Sequence, residues 1–173
     1  MAERYDQATI NYSVFEGSTR FLGTASADLP NISFLTTTLN GSGIGGNIEA
    51  VIRGMVDTMT LTLKFRNLQS EAASLITPER HTIELRVVMQ VENPVSGELE
   101  ELPAKHVFTV VPKTLNGGSI APASTGDPSG EYAVRYWAYY VNSEEQFMID
   151  PLNSICRING TDWMESIRAE LGI

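Results

Sequence analysis

Residues 58–66 read TMTLTLKFR and residues 82–91 read TIELRVVMQV, and these two stretches decide the fold class. In the first, Met59, Leu61, Leu63 and Phe65 alternate with Thr58, Thr60, Thr62, Lys64 and Arg66. Successive side chains of a strand point to opposite faces, so this spacing gives one buried and one wet face. The second stretch puts Ile83, Leu85, Val87, Met89 and Val91 on one side. Thr82, Glu84, Arg86 and Gln90 take the other, interrupted only by Val88.

Working outward, weaker strands are expected at 12–15, 21–29, 32–39, 48–53, 104–111, 132–142 and 146–149. Turn chemistry separates them at Glu16-Gly17-Ser18, Leu29-Pro30-Asn31 and Asn93-Pro94-Val95-Ser96-Gly97. Many short strands with such breaks, and no strand–helix alternation, imply a mainly β antiparallel barrel or sandwich. Two short helices complete the expectation. Residues 67–76 carry Glu71, Ala72, Ala73 and Leu75 and end before Pro78, placed to plug an end or cover a face of the sheet. Residues 162–171 begin with Asp162 as a cap and Glu165 at capping-box spacing, and stop at Gly172. Trp163, Ile167 and Leu171 form one apolar stripe there, which must dock on its own barrel or on a neighbouring subunit. Loops are expected at 40–47, NGSGIGGN, and over the long unpatterned stretch 112–131. With no repeat and no linker, the 173 residues read as one domain spanning 1–173.

Composition narrows the function. The net charge of −9 argues against a protein that grips nucleic acid over its whole surface, because phosphate binding is driven by Lys and Arg releasing counterions. It is compatible with a surface that nucleic acid passes without sticking. One cysteine, Cys156, rules out an internal disulfide framework and fits a reducing compartment. The opening MAERYDQATINYS has no apolar stretch of signal-peptide length, and no run approaches the ~20 apolar residues of a membrane helix. A soluble chain made in the cytoplasm, without membrane anchoring, is the expectation.

Catalytic chemistry finds little to stand on. Gly41, Gly43 and Gly46 literally satisfy G-x-G-x-x-G, with Gly45 inside the run. A nucleotide-binding enzyme would follow those glycines with a helix, and Arg53-Gly54 breaks the segment that would have to supply it. The structural reading is a loop that turns tightly or lies flat against another backbone. His81 and His106 are the only histidines, and one cysteine allows no Cys–His metal spacing. No serine sits in a nucleophile-elbow context. Glu98, Glu100 and Glu101 read as a solvated hairpin tip. Tyr132, Tyr136, Trp137, Tyr139 and Tyr140 crowd one strand, and with Arg135 as the only cation nearby they read as core or subunit interface. No catalytic, cofactor-binding or metal residue is expected.

Both ends of the chain resemble the major tail tube proteins of contractile-tailed bacteriophages. Phe15-x-Gly17, Gly23, Leu29-Pro30, the glycine-rich 41–46 stretch and the 58–65 strand carry the resemblance near the N-terminus. Ile149-Asp150, Asn153, Ile155, Asn159-Gly160, Asp162 and the closing Leu171-Gly172-Ile173 carry it near the C-terminus. The resemblance covers roughly residues 11–68 and 146–173. The 112–131 stretch is longer and richer in Pro and Gly than the family pattern, and the threonine-rich 32–39 segment lacks basic residues.

This resemblance implies a non-enzymatic structural subunit that assembles with itself as hexameric rings stacked into a tube. It implies a sheath around that tube, a tape-measure protein within it, baseplate and tail-terminator proteins at its ends, and DNA passing through the lumen without specific binding. The location would be the virion tail, assembled in the bacterial host cytoplasm. The same subunit would serve a headless contractile particle, such as a phage-tail-like bacteriocin, that carries no DNA. Subunit-interface candidates are Gly41, Gly43, Gly45 and Gly46 in the glycine loop, and Trp163 and Ile167 on the closing helix. Carboxylates on the non-core strand faces would make the lumen net negative and keep DNA off its wall.

Overall fold

The computed structural model of the chain describes residues 4–20 and 24–173. Its elements in order are β1 (Tyr5–Glu16), β2 (Thr19–Arg20), β3 (Thr24–Asp28), β4 (Phe34–Leu39), β5 (Ile48–Val56) and β6 (Met59–Phe65). Helix α1 (Ser70–Ser74) leads into β7 (His81–Glu92), β8 (Leu99–Asn116), β9 (Ser129–Val141) and β10 (Glu144–Asp150). A 3-10 turn (Pro151–Asn153), β11 (Ile155–Ile158), β12 (Thr161–Asp162) and α2 (Glu165–Leu171) close the chain.

All pairings are antiparallel. The main sheet runs β12-β11-β10-β9-β8-β7-β1-β2, with β6 also pairing β9 and carrying β3. The first half of β9 lies against β6 and the second half against β10, so one strand serves two layers. The changeover falls at Arg135. On β8, Thr109 faces Tyr136 and Val110 faces Val134, which leaves Arg135 as an extra, bulged residue. No pairing joins β1 to β3 among the described residues, so the sheet curls without closing. The mainly β, antiparallel expectation holds in this open form.

The core follows from the alternation. Met59, Leu61, Leu63 and Phe65 are all buried, as are Ile83, Leu85 and Val91. All but Val91 join one cluster with Phe108, Val110, Tyr132 and Trp137 from β8 and β9. Ala72 and Leu75 enter the same cluster, so the mid-chain helix caps the sheet where β6 ends and β7 begins. Tyr132 folds back over Gly130, and a Cβ there would run into its ring.

Several boundaries differ from the sequence reading for physical reasons. Helix α1 is shorter than 67–76 because Asn67 is diverted: its Oδ1 accepts the Gly126 N–H at 3.1 Å. Helix α2 starts at Glu165, and the Asp162 capping box does not form. Asp162 instead sits in β12, and its Oδ1 accepts the N–H groups of Cys156 (3.3 Å) and Met164 (3.0 Å). Gly172 does stop the helix, in the left-handed conformation at φ 73°. The long loop is confined to 117–128, since β8 runs on to Asn116 and β9 begins at Ser129. It is also pinned: Ser119 N–H donates to the Gly126 carbonyl at 2.8 Å, and Gly126 N–H to that of Arg66 at 2.9 Å. The 21–29 strand is seen as Thr24–Asp28, and its first residues, 21–23, lie outside the described residues.

Candidate assembly surface

One element stands apart from the core. Strands β4 and β5 pair only with each other, as a separate two-stranded sheet. Its register sets the faces. Leu39 opposite Ile48 and Thr37 opposite Ala50 share one face, while Thr38 opposite Glu49 and Thr36 opposite Val51 share the other. Alternation adds Leu35 to the first face. At its far end that face is apolar and bare, with Leu39 46% and Ile48 53% exposed, while Ala50 nearer the root is half-buried. The second is more polar, and Thr36 Oγ1 donates to Glu49 Oε1 at 2.9 Å. An isolated hairpin is at best marginally stable in water, so a ribbon with an uncovered apolar face is built to be covered.

The glycine loop forms the tip of this ribbon, closed by Ile44 N–H donating to the Gly41 carbonyl at 3.1 Å. Strands precede and follow it, with no helix for a nucleotide site to use. Gly41 and Gly43 need glycine for their backbone, at φ 145° and 90°. Gly45 and Gly46 have ordinary φ, and a Cβ would meet nothing within 4 Å. Nothing inside the subunit requires those two to be glycine.

The root of the ribbon rests on the C-terminal segment. Between Phe34 opposite Val56 and Thr36 opposite Val51, β5 carries the larger number of residues, a bulge that bends the ribbon away from the sheet. Gly54 lies in that bulge at φ 73°, where a Cβ would run into the Sδ and Cγ of Met164. The Arg53 guanidinium sits 5.6 Å from the Trp163 ring centroid. Sequence reasoning took Arg53-Gly54 only as a helix breaker, although a lone glycine in an apolar strand also signals a bulge. Gly54→Ala is expected to cost about 1–3 kcal/mol: the left-handed backbone contributes about 1–2, and buried Met164 has little room to yield. Urea unfolding indistinguishable from the parent would contradict this.

Trp163 and Ile167, the other interface candidates, remain 44% and 37% exposed, and Leu171 is exposed as well. The stripe is therefore only partly covered by its own subunit. Helix α2 is locked in place from its other side, by Arg168 donating to the Ser154 carbonyl (2.7 Å) and pairing with Asp162 (2.8 Å). The structure thus brings Trp163 to the ribbon root and sets the four glycines at its far end.

The histidines are structural. His81 is buried and bonds Glu16 Oε1 (2.5 Å) and the Thr77 carbonyl (3.0 Å). His106 Nδ1 accepts Trp137 Nε1–H at 3.3 Å, and its ring stacks on Tyr139 at 4.3 Å. Burial holds the His106 pKa down to about 4. For His81 burial opposes the charge, but the Thr77 carbonyl and Glu16 outweigh it and the pKa is raised. The signs are opposite. An unfolded chain takes up the His106 proton near 6.5 and the folded one only near 4, so stability falls as pH drops through that window, by about 3 kcal/mol. The His81 contribution is present in acid and is lost as pH rises through its raised pKa. Urea unfolding at pH 7 and 4.5 should show a loss in the parent that His106→Phe reduces; an equal loss in both would contradict the assignment.

Among the described residues no group of His, Cys, Asp or Glu could hold a metal, and no helix is long and apolar enough to cross a membrane. Glu100 pairs with Arg4 at 3.1 Å, near the Asn93–Glu98 turn.

The family model for phage tail tube protein FII matches residues 6–172. Two solved structures share the fold. A chain of the PVC sheath/tube terminator of an extracellular contractile injection system, in the extended state, is 15% identical with a TM-score of 0.53, covering 76% of this chain and 94% of that one. A chain of the PVC sheath-tube complex in the extended state is 16% identical with a TM-score of 0.51, covering 75% and 88%. No curated protein matches the chain.

Proposed function

The chain belongs to the phage tail tube protein FII family, and from that premise we propose that it is a structural subunit stacking as hexameric rings into the inner tube of a contractile tail. The observation that carries the reading is the β4–β5 ribbon, whose apolar face is uncovered and whose glycine tip has space for side chains it lacks. Both features make sense against a second copy: the apolar face is buried and the tip lies close to another backbone. Joining strands between copies would also cover sheet edges that are otherwise aggregation hazards.

The role is mechanical rather than catalytic. Outside the tube lies the sheath, within it the tape-measure protein, and at its ends the baseplate and terminator, in a particle assembled in the host cytoplasm. DNA traverses the lumen without specific contacts. Register places Glu84, Glu92, Glu101 and Glu145 on the non-core face of the main sheet, with Arg86, Lys105 and Arg157 between them. Arg86 pairs with Glu84 and Arg157 with Glu145, and Arg80, Arg135 and Asp150 share this face, so its charges are close to balanced and offer phosphates little net attraction. A tube reconstruction with a basic lumen would refute this part.

A headless particle is the second reading, favoured by the fold shared with chains of an extracellular contractile injection system. Tail particles purified from a producing culture are expected to contain this chain along the tube, and its absence would refute both readings. Filled heads on those particles assign it to a phage, and headless sheathed tubes to the alternative.

A further inference from the structure

On the non-core face of β8, a pocket of about 200 Å³ gathers Arg80, Thr109, Arg135, Tyr136, Asp150 and Asn153. Arg80 and Arg135 have no carboxylate within ion-pairing distance among the described residues. The single carboxylate of the pocket, Asp150, accepts from Asn153 N–H at 3.2 Å and from its Nδ2 at 2.6 Å, and the two arginines outnumber it. Arg135 is the bulged residue of β9, and a bulge re-aims a side chain that regular pairing would place otherwise. Thr109 is only 6% exposed yet makes no side-chain hydrogen bond, although it lines the same pocket. Two guanidiniums without a carboxylate partner, beside a Thr109 hydroxyl that is able to donate, make a receptor for a carboxylate.

In a chain of net charge −9, the occupant is found on the same sheet face. Glu101 and Thr109 project from β8 on one side, eight residues apart by number. Along a strand that separates them by about 26 Å, too far for contact within one subunit. Glu98 and Glu101 have no cation partner among the described residues, and the turn beside them is well built. Asn93 N–H donates to the Glu98 carbonyl at 2.9 Å, and Asn93 Oδ1 accepts from Val95 and Ser96, leaving Val95 almost wholly exposed at the tip. The geometry points to a head-to-tail contact in which the Glu98–Glu101 end of one copy docks into the Arg80–Arg135 pocket of the next. Donor and acceptor at opposite ends of one face make a heterologous contact, which propagates as a ring or an open filament. This rests on the tube reading and specifies where its subunits meet.

The test is tube formation by the full chain, read by pelleting and negative-stain microscopy across protein concentration and salt. Arg80→Glu with Arg135→Glu is expected to raise the concentration needed for tubes at least tenfold, and Glu98→Arg with Glu101→Arg likewise. All four changes in one chain should restore assembly, because every copy then presents both reversed partners. Arg80→Gln with Arg135→Gln supplies a milder arm, expected to shift assembly in the same direction with an unchanged far-ultraviolet circular dichroism spectrum. Normal tubes from either reversed pair, or no rescue by the fourfold chain, would overturn this contact while the parent's tubes uphold the tube reading. A parent that forms no tubes in any condition would overturn both.

Discussion

Leu39→Ser combined with Ile48→Ser is expected to abolish tubes and leave the isolated subunit as stable as the parent. The two residues face each other across the β4–β5 ribbon and share its apolar face, exposed to solvent in the single subunit. Replacing them removes little that the folded monomer uses. Burying one such side chain against a partner stabilises by about 1.5–3 kcal/mol. Each is already about half covered in the subunit (46% and 53% exposed), so losing two from every contact weakens association by about 1.5–3 kcal/mol, roughly one to two orders of magnitude. Gly45→Val should produce the same phenotype by another route, since its Cβ meets nothing within the subunit and only a second copy could object. Gly43→Val is a less clean probe, because φ 90° strains any side chain whatever lies nearby. Thermal unfolding separates the cases: an unchanged melting temperature with no polymer supports the assignment, and polymer at the parent's concentration refutes it.

Phe108→Ala is expected to act in the opposite sense, destabilising the subunit itself rather than its assembly. Phe108 is fully buried in β8, opposite Ile83 on β7 and Trp137 on β9. Its ring lies 5.3 Å from Trp137, which in turn meets Phe147 edge-on at 4.8 Å. Truncation leaves a cavity where the two layers share β9, at a cost of about 3–5 kcal/mol. Against a total stability of about 5–15 kcal/mol, that is a large fraction. Urea unfolding followed by tryptophan fluorescence should show the midpoint falling steeply, while a loss under 1 kcal/mol would contradict the packing described.

The alternation at Met59–Phe65 and His81–Glu92 is written in the chain because one face of each strand is buried and the other wet. The N-terminal half of β1 was not legible: Tyr5–Asn11 is exposed and held mainly by backbone pairing to β7, which leaves no hydrophobic pattern. Strand β11 was missed because it is short and its partners are fixed only in three dimensions. The helix at Asp162 started late because its carboxylate serves the turn from Cys156 and the Arg168 lock, a tertiary demand that outweighs local capping preference. The glycine loop was visible as a loop. Its place at the end of a detached ribbon, and the bulge at Gly54 that bends the ribbon, depend on Met164 more than a hundred residues away. The arginine pocket was the least legible feature, since Arg80, Thr109 and Arg135 meet only through a bulge.

The −9 net charge, first evidence only against a surface that grips nucleic acid, gains a division of labour in three dimensions. In the proposed tube, Glu84, Glu92 and Glu145 stand on the face turned to the lumen, and the Glu98–Glu101 end is offered to a neighbouring copy. Negative-stain electron microscopy of the purified protein tests the central claim most directly. The account predicts rings or hollow tubes of uniform width. A monodisperse monomer at every concentration and salt condition, with its fold intact by circular dichroism, would contradict it.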